Sequence, residues 1–168
     1  MIPLSKEDEK WIYTFIKEEL RFMPDVNIHS PFLPFRIQRP FAVFDISSMQ
    51  EGTDLMDELI IEALCNSLPI GHKLYSIDWN HSCVLYDPRN AETAQGDDEF
   101  PFFTKNGLVY FNSFFPNGDY YFFIEKYGRF GYLSHPWREE VWIFGEPLLK
   151  GFEKIYKTLG WTKKSEII

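Results

Sequence analysis

With 168 residues, 45% of them hydrophobic and 25% charged, the chain is long enough for one domain with a sizeable core and has the make-up of a folded protein rather than a disordered one. Its 25 acidic against 17 basic residues give a formal net charge of -8, which repels phosphate backbones and anionic lipid. Nucleic acid and membrane surfaces are therefore not expected as partners, and a basic protein partner suits the chain better.

Three further features agree on a cytoplasmic setting. No run is long and apolar enough to span a bilayer. The stretch 1–11 lacks the basic-then-apolar pattern of a secretion signal. The two cysteines, Cys65 and Cys83, form no CxxC motif and read as reduced, buried thiols. The aromatic share is 18%, with 17 Phe, 9 Tyr and 5 Trp, so aromatic rings must supply much of the core and are numerous enough to line a groove as well.

In chain order, Ser5 followed three residues later by Asp8 predicts a helix start, and Trp11, Ile12, Phe15, Ile16 and Leu20 fall at helical spacing before Pro24. Residues 24–40 carry Pro24, Pro31, Pro34 and Pro40 with Phe32, Leu33 and Phe35 between them, which predicts an extended but packed connection. Phe41–Ile46 reads as a short strand. Asp54 can cap a second helix whose stripe is Leu55, Met56, Leu59, Ile60, Ala63 and Leu64, ending near Pro69. Leu74–Tyr86 reads as one long strand, with Tyr75, Ile77, Trp79, His81, Cys83 and Leu85 on one face and Asp78, Asn80 and Ser82 on the other. Asp87–Asn106 is a long polar loop, a kind that is usually functional or mobile.

The stretch from Gly107 to Gly145 reads as four antiparallel strands in a row. Asn117-Gly118 suits a two-residue hairpin turn and pairs Leu108–Phe115 with Asp119–Lys126. A turn at Tyr127-Gly128-Arg129 leads to Phe130–His135, and Pro136–Glu139 turns again into Glu140–Phe144. In this register His135 lies opposite Tyr121, Asp119 shares the face of Tyr121, and Glu140 lies opposite His135. A slip of one residue at the Gly128 loop would move His135 to the other face. Glu146-Pro147 opens the last helix, with Leu148, Leu149, Phe152, Ile155, Tyr156 and Leu159 as its stripe and Gly160 at its end. Residues 162–168 read as a frayed tail.

The predicted fold is α+β: one domain over residues 1–168, an antiparallel meander sheet of five or six strands, and about three packed helices. Four residues of the meander form a candidate catalytic set: His135 as base, Asp119 or Glu140 to orient it, and Tyr121 as acid or orienter. The competing reading of Asp119 and His135 is a hydrogen-bonded pair that pins the end of the sheet under Trp137. His81 sits on an apolar strand face and reads first as a core histidine. With Asp78, Trp79 and Trp137 it makes a candidate binding set. No local metal-ligand spacing, P-loop, GxGxxG or GxSxG occurs, so neither metal nor cofactor is expected.

Four segments carry a family resemblance: Asp78–His81 (DWNH), Phe115–Ile124 (FPNGDYYFFI), Ser134–Trp137 (SHPW) and Ile143–Leu149 (IFGEPLL). Over about Leu74–Leu149 the chain resembles an uncharacterised bacterial family, domain of unknown function 2716. Asn80 and Ser134 depart from the Gln and Gly of the family pattern. The resemblance implies a bacterial cytoplasmic protein, implies no activity, and draws attention to Asp78, His81, Asp119, His135 and Trp137. Three function classes follow: a protein-binding module, of an immunity or antitoxin-like kind, facing a basic partner; a small hydrolase or transferase built on a His/Asp pair; and a structural domain without a site. The acidity and the missing catalytic motif favour the first.

Overall fold

A computed structural model describes residues 2–25, 27, 30, 32–49, 54–79, 81–89, 102–104, 107–109, 114–116 and 118–167. In chain order the elements are β1 (Ile2–Pro3), α1 (Lys6–Thr14) running into a π-helical turn (Phe15–Glu19), β2 (Phe41–Asp45), α2 (Asp54–Ser67), β3 (Leu74–Asp78), β4 (Ser82–Tyr86), β5 (Phe102–Thr104), β6 (Gly107–Val109), β7 (Tyr121–Glu125), β8 (Gly131–His135), β9 (Glu140–Phe144), α3 (Glu146–Ile155) and β10 (Thr162–Ile167). The main sheet runs β1-β4-β3-β7-β8-β9-β2-β10, and every neighbouring pair is antiparallel. It has seven strands of five or six residues, with the two-residue β1 added at the β4 edge, so it is wider than the five or six strands expected.

The α+β class and the three helices agree with the sequence. Ser5 caps α1, its hydroxyl accepting the Asp8 N–H at 3.1 Å. Pro147 sits in the first turn of α3 and Gly160 takes a φ of 74° beyond it. Four expectations are corrected. The stretch 74–86 is not one strand but a hairpin, with Asp78 opposite Ser82. The residues at 107–109 pair with β5 rather than with β7, because β7 has both edges taken, by β3 and by β8. Residues 162–167 form edge strand β10 on β2 instead of a frayed tail. Leu55, assigned to the apolar stripe of α2, is 61% exposed. The predicted Asn117 turn position, the residues before Asp54 and most of the 87–106 loop lie outside the described residues.

Both faces of the sheet are covered, as the aromatic residues at successive positions of β7 require. On one face Ile60, Ala63 and Leu64 of α2 and Leu148, Leu149 and Phe152 of α3 pack over Ala42, Phe44, Phe123, Tyr132, Val141 and Ile143. Gly151 of α3 approaches Ala63 closely, so the two helices lie side by side above the strands. On the other face Ile12, Phe15, Ile16 and Phe22, together with Phe35 and Ile37 of the proline-rich connection, cover Phe122, Ile124, Leu133 and Trp142. Each such ring or branched chain, once fully buried, is worth about 1.5–3 kcal/mol.

The β7–β8 loop fixes the register of the site. Glu125 is opposite Phe130, not Lys126, because its N–H donates to the Phe130 carbonyl at 3.0 Å. The buried Glu125 carboxylate accepts the backbone N–H groups of Tyr127 and Arg129, and so wraps residues 126–129 into a loop around itself. Lys126 turns outward and donates its N–H to the Lys73 carbonyl at 3.1 Å. Phe122 then pairs with Leu133. That register carries Tyr121 to Ser134 and Tyr120 to His135, one residue away from the expected Tyr121–His135 match.

Candidate functional site

One end of the sheet gathers most of the residues singled out from the sequence. At the β3–β4 turn the His81 N–H donates to the Asp78 carbonyl at 3.0 Å. The His81 Nδ1 lies 2.9 Å from Asp78 Oδ1 and 3.9 Å from Asp119 Oδ2. The turn reverses the chain between Asp78 and His81, so these two form a local pair, contrary to the expectation that they face apart. His81 is not a core histidine either, since its side chain is 59% exposed against 19% for Asp78. Asp119, at 46%, is also open to water.

The electrostatics of the trio follow from this placement. The hydrogen bond to Asp78, then the charges of Asp78 and Asp119, hold the His81 pKa above the ordinary imidazole value. Burial, and the nearby Asp119, raise the Asp78 pKa despite the opposing pull of His81. Both aspartates thus favour the proton on the His81 ring, and both approach its Nδ1. The same three ligand atoms lie within 4.8 Å of one another and offer one nitrogen and two oxygens, a donor set that would suit a divalent cation if the imidazole were neutral.

His135 is elsewhere. The register places it on the α1 side of the sheet, where its ring meets Tyr120 edge-on at 4.9 Å. Its Nδ1 accepts the Arg138 N–H at 3.3 Å. Its Nε2 is buried without a hydrogen-bond partner among the described residues. Burial pushes its pKa down to about 4, with Glu140 opposing and Arg138 adding to the fall. The expected Asp119–His135 pair is therefore not formed: Asp119 goes to His81, and His135, fully buried, is not placed to act as a base on a ligand in solution.

The other members of the expected catalytic set are packed into the sheet and its core. Glu140 does lie opposite His135, as predicted. It is 3% exposed, and its oxygens accept from Arg138 Nε at 3.1 Å, Trp142 Nε1 at 3.1 Å and Lys164 Nζ at 3.0 Å. Tyr121 belongs to the core under α2 and α3, away from His135. Trp79, expected in the binding set, is buried and packs edge-on against Phe22 at 4.9 Å. Its N–H donates to the Tyr120 carbonyl at 3.1 Å, so it supports the surface from beneath. Trp137 is 41% exposed and remains at the surface.

Tyr120 is the residue that the sequence reading passed over. Its hydroxyl accepts the Asp25 N–H at 2.9 Å, donates to the Asp25 carbonyl at 3.0 Å, and takes a hydrogen bond from the Trp137 side chain. It therefore joins the proline-rich connection, the β8–β9 turn and the segment before β7. The doubled tyrosine at 120–121 was the available signal, but only the true register says which of the two faces His135.

The model of the family described as "Protein of unknown function (DUF2716)" matches residues 3–149, a wider span than the four segments suggested. The "Uncharacterized protein YxiI" of Bacillus subtilis (strain 168) is 26% identical over 160 residues, which cover 89% of this chain and 90% of the relative. No solved structure matches.

Proposed function

The chain belongs to the DUF2716 family of proteins of unknown function, and we propose that it is a protein-binding module whose docking surface for a basic partner is the sheet end formed by Asp78, His81, Asp119 and Trp137. One observation carries this reading. Three of the four segments that mark the family meet there: the β3–β4 turn, the approach to β7 and the β8–β9 turn. They leave the partly exposed Asp78 and Asp119 around the exposed His81 imidazole, with the exposed Trp137 indole tied to the same end of the sheet through its hydrogen bond to Tyr120. Glu139, two residues after Trp137 in the same turn, is exposed and adds a further carboxylate. A partly exposed aromatic rimmed by carboxylates is the composition of an interface centre for a cationic surface. An immunity or antitoxin-like role against a basic toxin is the form of this function that best fits a small acidic protein.

The hydrolase reading survives only with a different pair, His81 and Asp78. Their hydrogen bond supports it, but the exposure of His81 and Asp119 leaves the trio bathed in water, which weakens any electrostatic work it could do.

The test is capture from cells of the native host, with wild type compared with a Trp137→Ala/Asp119→Asn double variant, followed by reconstitution of any captured protein from purified components. The expected result is one basic protein that binds wild type in a salt-sensitive manner and loses most of its affinity for the double variant. A reconstituted partner that binds both forms equally, or an acidic one, overturns the assignment of the surface.

A further inference from the structure

The opposite ends of β3 and β7 hold a second site, and we infer that it binds a small organic anion with a planar ring. Two turns form its jaws. In the first, the His72 N–H donates to the Pro69 carbonyl at 3.0 Å and Gly71 takes a φ of 79°, which places Ile70 at the tip, 97% exposed. In the second, the chain wraps Glu125 and turns Tyr127 outward, 62% exposed. Between them lies a cavity of about 440 Å³ lined by Ile70, His72, Lys73, Leu85, Lys126 and Tyr127, which is within the range of small-molecule sites.

The lining sets the ligand class. Lys73 and Lys126 bring two ammonium groups and His72 an imidazole, and among the described residues none of the lining is acidic. In a chain of net charge -8 this is a local reversal of sign. The nearest described carboxylate to Lys126 is Asp8, at 3.9 Å, a loose contact between partly exposed groups. The carboxylate underneath is already committed. Glu125, fully buried, accepts from Arg129 Nε at 3.1 Å and Nη2 at 2.9 Å, as well as from the two backbone N–H groups of its loop, and lies 3.0 Å from His72 Nδ1. Burial works to raise its pKa, but these bonds outweigh it and hold the carboxyl below its ordinary range. Its charge is thus spent on Arg129 and the loop; His72 Nδ1 meets both Glu125 and, at 3.0 Å, Arg129 Nη2, which leaves Nε2 as the ring nitrogen without a partner among the described residues. Ile70 and Leu85 supply apolar wall, and the Tyr127 ring, edge-on to His72 at 5.3 Å, offers a face for stacking. An anionic group between the lysines and a flat body against Tyr127 satisfies both halves of the lining.

The experiment uses the full chain and three probes: phenyl phosphate, inorganic phosphate and phenol, each titrated by calorimetry and followed by the His72 and Tyr127 ring resonances. Phenyl phosphate is expected to saturate with a dissociation constant on the order of 1 mM or tighter. Inorganic phosphate is expected to bind about tenfold more weakly, and phenol weaker still, since each lacks one half of the match. Lys73→Gln with Lys126→Gln should weaken phenyl phosphate at least about tenfold. Tyr127→Ala should narrow the gap between phenyl phosphate and phosphate. The ring resonances locate the site in wild type, independently of how the variants fold. The proposal is overturned if phenyl phosphate does not saturate, if it shifts resonances elsewhere and not these two, if phenol binds as well as phenyl phosphate, or if well-folded lysine variants bind unchanged.

Discussion

The Ser134 hydroxyl holds Tyr121 from both sides: it accepts the Tyr121 N–H and donates to the Tyr121 carbonyl, each at 3.0 Å. A side-chain oxygen thus takes over from the backbone ladder of β7 and β8, whose paired residues end at Phe122 and Leu133. Because Ser134 faces Tyr121, its neighbour His135 faces the opposite side of the sheet. Ser134 is fully buried, so no water can replace the hydroxyl without a rearrangement. Ser134→Ala should therefore cost about 1–3 kcal/mol, read from the urea midpoint with an unchanged slope. A cost near zero would mean that the Tyr121 backbone groups find other partners.

His135 makes stability depend on pH in one window. Its folded-state pKa, about 4, lies below the unfolded value of 6.5. About one pH unit or more above 6.5 both states are largely neutral at this residue. As pH falls below that value the unfolded chain takes up the proton first, and stability declines until about pH 4, where the folded state protonates too. The full effect is on the order of 3 kcal/mol. The difference between wild type and His135→Gln, followed by chemical denaturation between pH 7 and 4, should shrink or change sign as pH falls. A constant difference across that window would show that the buried ring titrates normally.

His81 behaves in the opposite sense. Its raised pKa means that the folded state favours the proton, so its small contribution is complete below the unfolded value and is lost as pH rises through the folded one. The hydrogen bond to Asp78 is the leading cause and the charge of Asp119 a lesser one. An NMR titration of the His81 ring should show a downward shift in Asp78→Asn that is larger than in Asp119→Asn. Equal shifts, or the reverse order, would place the partner wrongly.

Two glycines of positive φ should respond unequally to alanine. At Gly145, with φ 88°, a β-carbon would overlap the Arg129 carbonyl oxygen and Phe130, where β9 turns into α3. Gly145→Ala should cost about 3 kcal/mol or more, from strain and overlap together. At Gly160, with φ 74°, a β-carbon meets nothing within 4 Å, so Gly160→Ala should cost only the conformational term, about 1–2 kcal/mol. Thermal midpoints of the two variants compare them directly.

Local chemistry made much of the fold legible. The Ser5 cap, Pro147 at the start of α3, the strand expected at 41–46 and found at 41–45, and the turn at Pro136–Glu139 are short-range features that the structure shows. The reading failed where two alternatives were locally equivalent. Nothing within 74–86 says that the chain folds back at Trp79, because both arms are apolar and β-prone. The Tyr127–Gly128 turn fits a three-residue loop as well as the wider one that Glu125 imposes, and nothing local marks that carboxylate as the organiser of the loop.

The sequence by itself determined the α+β class, the antiparallel pairing of β7, β8 and β9 and the likeness to the DUF2716 family, because periodicity, turn residues and family-typical segments are carried by neighbours along the chain. Only the tertiary structure decided which histidine meets the aspartates. Strand registry has a period of two, so a single residue gained in a loop exchanges the faces. That residue was gained because a buried glutamate gathers its hydrogen-bond donors from both the loop and a distant turn.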